Sequence, residues 1–186
     1  MEKFQIDRKK ENILVWLDFD AYSYFNFGAI IELAKLDKFE FIGIVTTKQD
    51  MSFFKNQKMI KFKKLIYYPD CYIEKSDFNL EKLKEIEKKY KLNLWYNVFT
   101  ERSFYLYWTE FHNFTKEEIF TIIEKSILFF IQILEKFQPK IILTQYIGEN
   151  ISNLLLYKIG KEMDIKTIMA IPMFIHNKII LSDNIV

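Results

Sequence analysis

Apolar residues fall in short blocks separated by charged turns, and two spacings alternate along the chain. Residues 13–19, ILVWLDF, are apolar and β-prone except for Asp18, and Ala21 to Leu36 then reads as a helix. Glu40–Thr47, EFIGIVTT, reads as a strand buried on both faces. Lys64–Tyr68, KLIYY, reads as a shorter strand stopped by Pro69. Asn79 is placed to cap a helix from Leu80 to near Lys91. The clearest helix is 116–137: Thr115 and Glu118 have capping-box spacing, and Pro139 lies just past its end. Ile119, Ile122, Ile123, Ile127, Phe130, Ile133, Leu134 and Phe137 recur at helical spacing, which puts Glu117, Glu124, Lys125, Gln132 and Glu135 on the solvent side.

Two further units follow. KIILT at 140–144 predicts a strand, Asn150–Met163 a helix, KTIMAI at 166–171 a strand ended by Pro172, and KIILS at 178–182 a last strand. Alternation of this kind predicts an α/β fold: a Rossmann-like parallel sheet flanked by helices on both faces, in three αβα layers. The 186 residues suit a single domain, 1–186, or one half of a larger protein. In such sheets ligands bind beyond the carboxyl ends of the strands, where strand order reverses. That rule selects Asp18, Asp20, Thr46, Thr47, Gln145, Tyr146, Glu149, Asn150, His176 and Asn177 as candidates.

Composition narrows the classes. Half the residues are hydrophobic, 19 are Phe and 11 Tyr, so a full core can be buried. With 27 basic against 25 acidic residues, the net charge of +2 makes no electrostatic case for a nucleic-acid partner. Cys71 is the sole cysteine, and His112 and His176 share no ligand spacing, so neither a disulfide framework nor a metal site is expected. The start, MEKFQIDRKKEN, lacks the apolar core of a signal peptide, and no apolar run approaches the ~20 residues of a membrane span. A cytoplasmic setting is the expectation. The segment 53–64, FFKNQKMIKFKK, interleaves five lysines with Phe and Met. It reads as a solvated basic segment, with peripheral contact at the inner membrane face as the functional alternative.

Asp18-Phe19-Asp20 admits three readings. Haloacid-dehalogenase-like phosphatases carry a D-x-D after their first strand, where one Asp attacks phosphorus beside Mg²⁺. Here Ala21-Tyr22-Ser23 follow, and no later acidic pair does. Single-domain glycosyltransferases use D-x-D to bind a sugar nucleotide, but deeper in the domain. The third reading is a polar strand end that caps the next helix, and it is favoured because the pattern is short. No Gly-rich phosphate loop can be drawn, so a nucleotide cofactor held by that device is not expected. TQYIGEN at 144–150 is a strand-to-helix turn whose free N–H groups could hold an anion, with Glu149 as a base. The segment 93–114 is dense in aromatics around Glu101-Arg102. It reads as a packed connection or as a binding loop, in which Arg102 pairs with a phosphate or carboxylate and Tyr105, Tyr107 or Trp108 stacks on a sugar.

The run FTERSFYLYWTEFHNFTKEEIFTIIEKSILFFIQILEKFQPKIILTQ, then LLLYKIGKEMDIKTIMAIP and HNKIILSDNI, resembles the N-terminal half of capsular or surface polysaccharide biosynthesis proteins, which are similar to two-domain GT-B glycosyltransferases. The resemblance covers roughly the chain from Asn93 onward. It implies a domain on the acceptor side of a cleft, a glycan acceptor, and a nucleotide-sugar donor held mainly by a second domain that these residues do not contain. It implies no metal held by D-x-D, and it matches Glu101 and Arg102 as substrate-binding residues. An acceptor hydroxyl would attack the sugar's anomeric carbon with Asp20, Glu149 or His176 as candidate base. Gln145, Tyr146, Asn150 and Asn177 would complete the substrate contacts. The alternatives are a Mg²⁺-dependent phosphohydrolase using Asp18 and Asp20, and a non-catalytic sugar-binding or assembly module.

Overall fold

The structure, a computed structural model, describes residues 10–18, 21–73, 79–106, 110–146, 151–173 and 178–184. Among these residues six strands form one sheet: β1 (Glu11–Leu17), β2 (Phe39–Val45), β3 (Phe62–Tyr67), β4 (Ile141–Gln145), β5 (Lys166–Met173) and β6 (Lys178–Ser182). Their order is β3-β2-β1-β4-β5-β6. All neighbours pair in parallel except β5 and β6, which are antiparallel. The expected α/β class and Rossmann-like sheet are therefore present, with β6 reversed at one edge.

Among the described residues six α-helices flank the sheet: α1 (Ala21–Ala34), α2 (Lys48–Asn56), α3 (Leu80–Lys89), α4 (Leu94–Thr100), α5 (Lys116–Phe137) and α6 (Ile151–Glu162). Strand geometry sends successive side chains to opposite faces. On β1, Ile13, Val15 and Leu17 join Phe27 and Ile30 of α1 and Phe54 of α2. Leu14 and Trp16 point the other way, into a larger core with Leu83 of α3, Val98 of α4, Phe130 of α5 and Leu155 of α6. The central strand is thus buried on both faces, which is why ILVWL is continuous rather than alternating.

Local signals set the helix ends. Thr115 and Glu118 make the reciprocal capping box at the start of α5. At its end Gln138 takes a left-handed φ of 44° immediately before Pro139. Asn79 accepts the N–H of Lys82 at 3.1 Å and caps α3. Two helices lie where the apolar spacing predicts none. Thr47 caps α2 by accepting the N–H of Asp50 at 3.0 Å. Asn93 caps α4 by accepting the N–H of Tyr96 at 2.9 Å, and Leu94 and Val98, four apart, turn one face of that short helix to the core.

The polar face of α5 also differs from expectation. Glu124 is buried, not solvent-facing: it accepts the backbone N–H of Asn79 at 3.0 Å and lies 3.9 Å from Lys82. The start of α3 sits over this side of α5, and the carboxylate pairs with a backbone donor that helix termini leave open.

Candidate active site at the strand-order switch

Strand order reverses between β1 and β4, which leave the centre of the sheet in opposite directions. The carboxyl ends of these two strands therefore flank the crevice that doubly wound sheets offer to ligands. Asp18 follows β1, half-buried, and its Oδ1 accepts the hydroxyl of Thr46 from the end of β2. Across the switch, Gln145 ends β4 half-buried and Tyr146 follows it exposed. Behind them Thr144 donates to Asn153 Oδ1 at 3.1 Å, and both side chains are fully buried. This bond pins the first turn of α6 to the end of β4.

Glu101 closes the same corner from a distant part of the chain. Its Oε2 accepts the N–H of Ile151, the first residue of α6, at 3.1 Å. Its Oε1 accepts both the N–H and the hydroxyl of Ser103. A carboxylate at this position meets one of the orphan donors of the helix and its positive dipole end. One of the N–H groups expected to hold an external anion is thus held by the protein's own carboxylate. Arg102 follows in a short 3₁₀ turn, Arg102–Phe104, half-buried. The aromatic stretch that carries this pair leaves Trp95, Tyr96, Phe99 and Tyr105 exposed, with Phe99 and Tyr105 edge to face at 6.4 Å.

Beneath the start of α6 lies a chain of hydroxyls that no local motif announced. Ser152 donates to Tyr68 at 2.8 Å, Tyr68 donates to Ser126 at 2.9 Å, and Ser126 donates to the carbonyl of Ile122 at 2.7 Å. Tyr72 donates to Tyr68 at 2.6 Å. The cluster joins the exit of β3, α5 and α6. Burial pushes the Tyr68 phenol up to about 12, against the partial opposition of its hydroxyl partners, and raises Tyr72 as well. Burial also raises the Cys71 thiol, to about 11, so at neutral pH it is not a thiolate nucleophile.

Of the residues selected from sequence, Asp18, Thr46, Glu101, Gln145 and Tyr146 belong to strand ends or to the α6 start around the switch. Arg102 neighbours Glu101 in sequence. Thr47 instead caps α2. Asp20, Glu149, Asn150, His176 and Asn177 lie outside the described residues, as do Tyr107 and Trp108. Among the described residues, no group of three or more His, Cys, Asp or Glu gathers as metal ligands, and no helix is long and apolar enough to cross a membrane. His112 sits apart, 3.2 Å from Glu118 at the start of α5.

No family model and no curated protein matches this chain. Among solved structures it is similar to the UDP-GlcNAc 2-epimerase from Methanocaldococcus jannaschii, with 12% identity and a TM-score of 0.47. The match covers 89% of this chain and 33% of that one, so the chain spans about a third of that neighbour's length.

Proposed function

We propose that this chain is the acceptor-side domain of a GT-B-like glycosyltransferase acting in surface or capsular polysaccharide synthesis. The observation that carries the reading is the bond from Glu101 to the first N–H of α6. It ties a segment rich in exposed aromatic rings to the corner of the sheet where strand order reverses. Sugars are bound by such combinations: rings cover the apolar face of a pyranose, while carboxylates, amides and hydroxyls take its hydroxyl groups. Gln145, Tyr146 and Asp18 supply the polar groups on the strand ends, and Arg102 supplies a cation for a phosphate on the acceptor or donor. In this reading a second domain holds most of the nucleotide sugar, and the base that deprotonates the acceptor comes from Asp20, Glu149 or His176. The assignment to surface polysaccharide rests on the resemblance of residues 93 onward.

The test is a titration of isotopically labelled protein, followed by amide shifts, with phosphorylated glycan acceptors and with nucleoside-diphosphate sugars. Shifts should concentrate at Glu101, Arg102, Gln145, Tyr146 and Ile151. Arg102→Ala should weaken binding of the phosphorylated acceptor by about tenfold or more, the worth of one charge-assisted hydrogen bond. Saturable Mg²⁺ binding that is lost in Asp18→Asn, together with phosphatase activity, would instead favour the phosphohydrolase. Shifts confined to other faces of the domain would remove the sugar-site assignment.

A further inference from the structure

The β3 edge of the sheet carries a feature that the sugar reading leaves unused. Between Asp50 and Asp70 the chain has five lysines and no acidic residue. The fold gathers them around a groove of about 720 Å³ between the end of α2 and the start of β3. Lys63 is engaged, bonded to Glu40 and 3.0 Å from Asn12 Oδ1. Lys55, Lys58, Lys61 and Lys64 also line the groove, all exposed, and among the described residues none has a carboxylate partner. The floor is apolar, with Phe54, Phe62 and Leu65.

The turn above this groove is braced. Gln57 Nε2 donates to the carbonyls of Phe54 at 3.2 Å and Ile60 at 2.8 Å. Its Oε1 accepts the N–H groups of Met59 at 2.8 Å and Ile60 at 3.1 Å. One side chain thus satisfies four backbone groups and holds Met59 outward, 67% exposed, between Lys58 and Lys61. A merely solvated basic segment needs neither a fixed turn nor an apolar tip.

We propose that this groove is a docking surface for an anionic lipid bilayer, with Met59 inserted among the acyl chains and Lys55, Lys58, Lys61 and Lys64 on the headgroup phosphates. Lysine suits the role because its aliphatic stem can lie along apolar material while the ammonium stays with the phosphates. Clustered lysines beside an apolar anchor meet the conditions for reversible binding at an acidic leaflet. A nucleic acid is a poorer match. Lysines would serve its phosphates as well, but holding bases calls for free stacking rings or arginine planes; residues 51–68 contain no arginine, and the exposed Phe53 is already met edge-on by Tyr24, Phe27 and Phe54. The groove lies at the amino end of β3, whereas the candidate sugar site lies at carboxyl ends, so the two proposals stand or fall separately.

The experiment is co-sedimentation of the full chain with mixed phosphatidylcholine–phosphatidylglycerol vesicles and with pure phosphatidylcholine vesicles, at low and high salt. Binding should need the anionic lipid and weaken with salt. Each lysine contributes about fivefold to partitioning, so Lys58→Glu/Lys61→Glu/Lys64→Glu should lower it by about 100-fold or more. The Lys→Gln triple variant should give a smaller loss in the same direction. Met59→Asp should lower partitioning by about tenfold with an unchanged melting temperature, since it removes the inserted apolar group. Several results would overturn the proposal: no sedimentation with the anionic vesicles, equal binding to both vesicle types, or retention by the triple variants. Tighter binding to a single-stranded oligonucleotide would reassign the surface to nucleic acid. Loss of vesicle binding in millimolar inorganic phosphate at fixed ionic strength, with a matching thermal shift, would reassign it to a free phosphate ligand.

Discussion

Glu101 and Ile151 are 50 residues apart in sequence, yet the Glu101 carboxylate accepts the first N–H of α6 at 3.1 Å. That bond locks the 3₁₀ turn at Arg102–Phe104 onto the helix, and Glu101 also accepts from Ser103. Removing the acceptor leaves a helix-start donor unpaired. Glu101→Ala should cost ~1–2 kcal/mol in chemical denaturation, as for a lost helix cap. Glu101→Gln, whose amide oxygen can still accept, should recover about half of that loss. Equal losses for the two variants would mean that the charge, not the hydrogen bond, carries the effect.

The phase of α5 gives a second test. Phe130 is fully buried and stacks on Tyr68 at 5.5 Å, so Phe130→Ala should cost ~3–5 kcal/mol by opening a cavity. Helical spacing alone puts Glu124 in solvent and forecasts a negligible effect there. With the Asn79 N–H bonded to it, Glu124→Ala should cost ~0.5–1.5 kcal/mol, the net worth of one part-buried hydrogen bond. A double variant with Asn79→Ala should show non-additivity, since both changes act on the start of α3.

The contrast between Phe130 and Glu124 marks where sequence reading stops. Spacing assigns residues to faces of a helix, but it does not say what else covers a face, and α3 arrives over Glu124 from 45 residues away. Strand and cap signals were legible because they are local: the ILVWL run, Thr115 with Glu118, and Asn79 before Leu80. The reversal of β6 was not, because an apolar run has the same pattern in either direction. Strand ends could be read as the site's location, which brought in Asp18, Thr46, Gln145 and Tyr146. The partner of Glu101 could not be, and the hydroxyl chain joins Tyr68 to Ser152 across 84 residues with no spacing to reveal it.

Two glycines should respond in opposite directions to the same change. Gly28 lies within α1, where an added methyl would meet nothing within 4 Å. Gly28→Ala should therefore stabilise the protein by ~0.5–1 kcal/mol through helix propensity and a less flexible unfolded chain. Gly43 lies in the centre of β2, where a Cβ would stand 2.7 Å from Leu65 Cδ2 and 3.0 Å from Leu17 Cδ1. Gly43→Ala should destabilise by ~1–3 kcal/mol through overpacking. Thermal melts of both variants read the signs directly.

The buried phenol of Tyr68 makes stability depend on pH in the alkaline range. Its pKa rises from 10.0 in the unfolded chain to about 12 in the fold, because burial disfavours the phenolate. Below pH 10 both states hold the Tyr68 proton, and this group contributes nothing to the pH dependence. Between pH 10 and pH 12 the unfolded chain releases a proton that the folded state retains, so ionisation favours unfolding. Each pH unit in that window should remove about 1.4 kcal/mol for a fully shifted group. Tyr68→Phe deletes this one titration, leaves those of Cys71 and Tyr72 in both proteins, and loses the hydrogen bonds to Ser126 and Ser152, so it should be less stable than the wild type at neutral pH. Its stability should then fall less steeply from pH 10 to pH 12, and the gap between the two proteins should narrow. Urea denaturation midpoints across pH 8 to 12 measure this directly. Parallel curves for wild type and Tyr68→Phe would show that Tyr68 ionises equally easily in the folded and unfolded states.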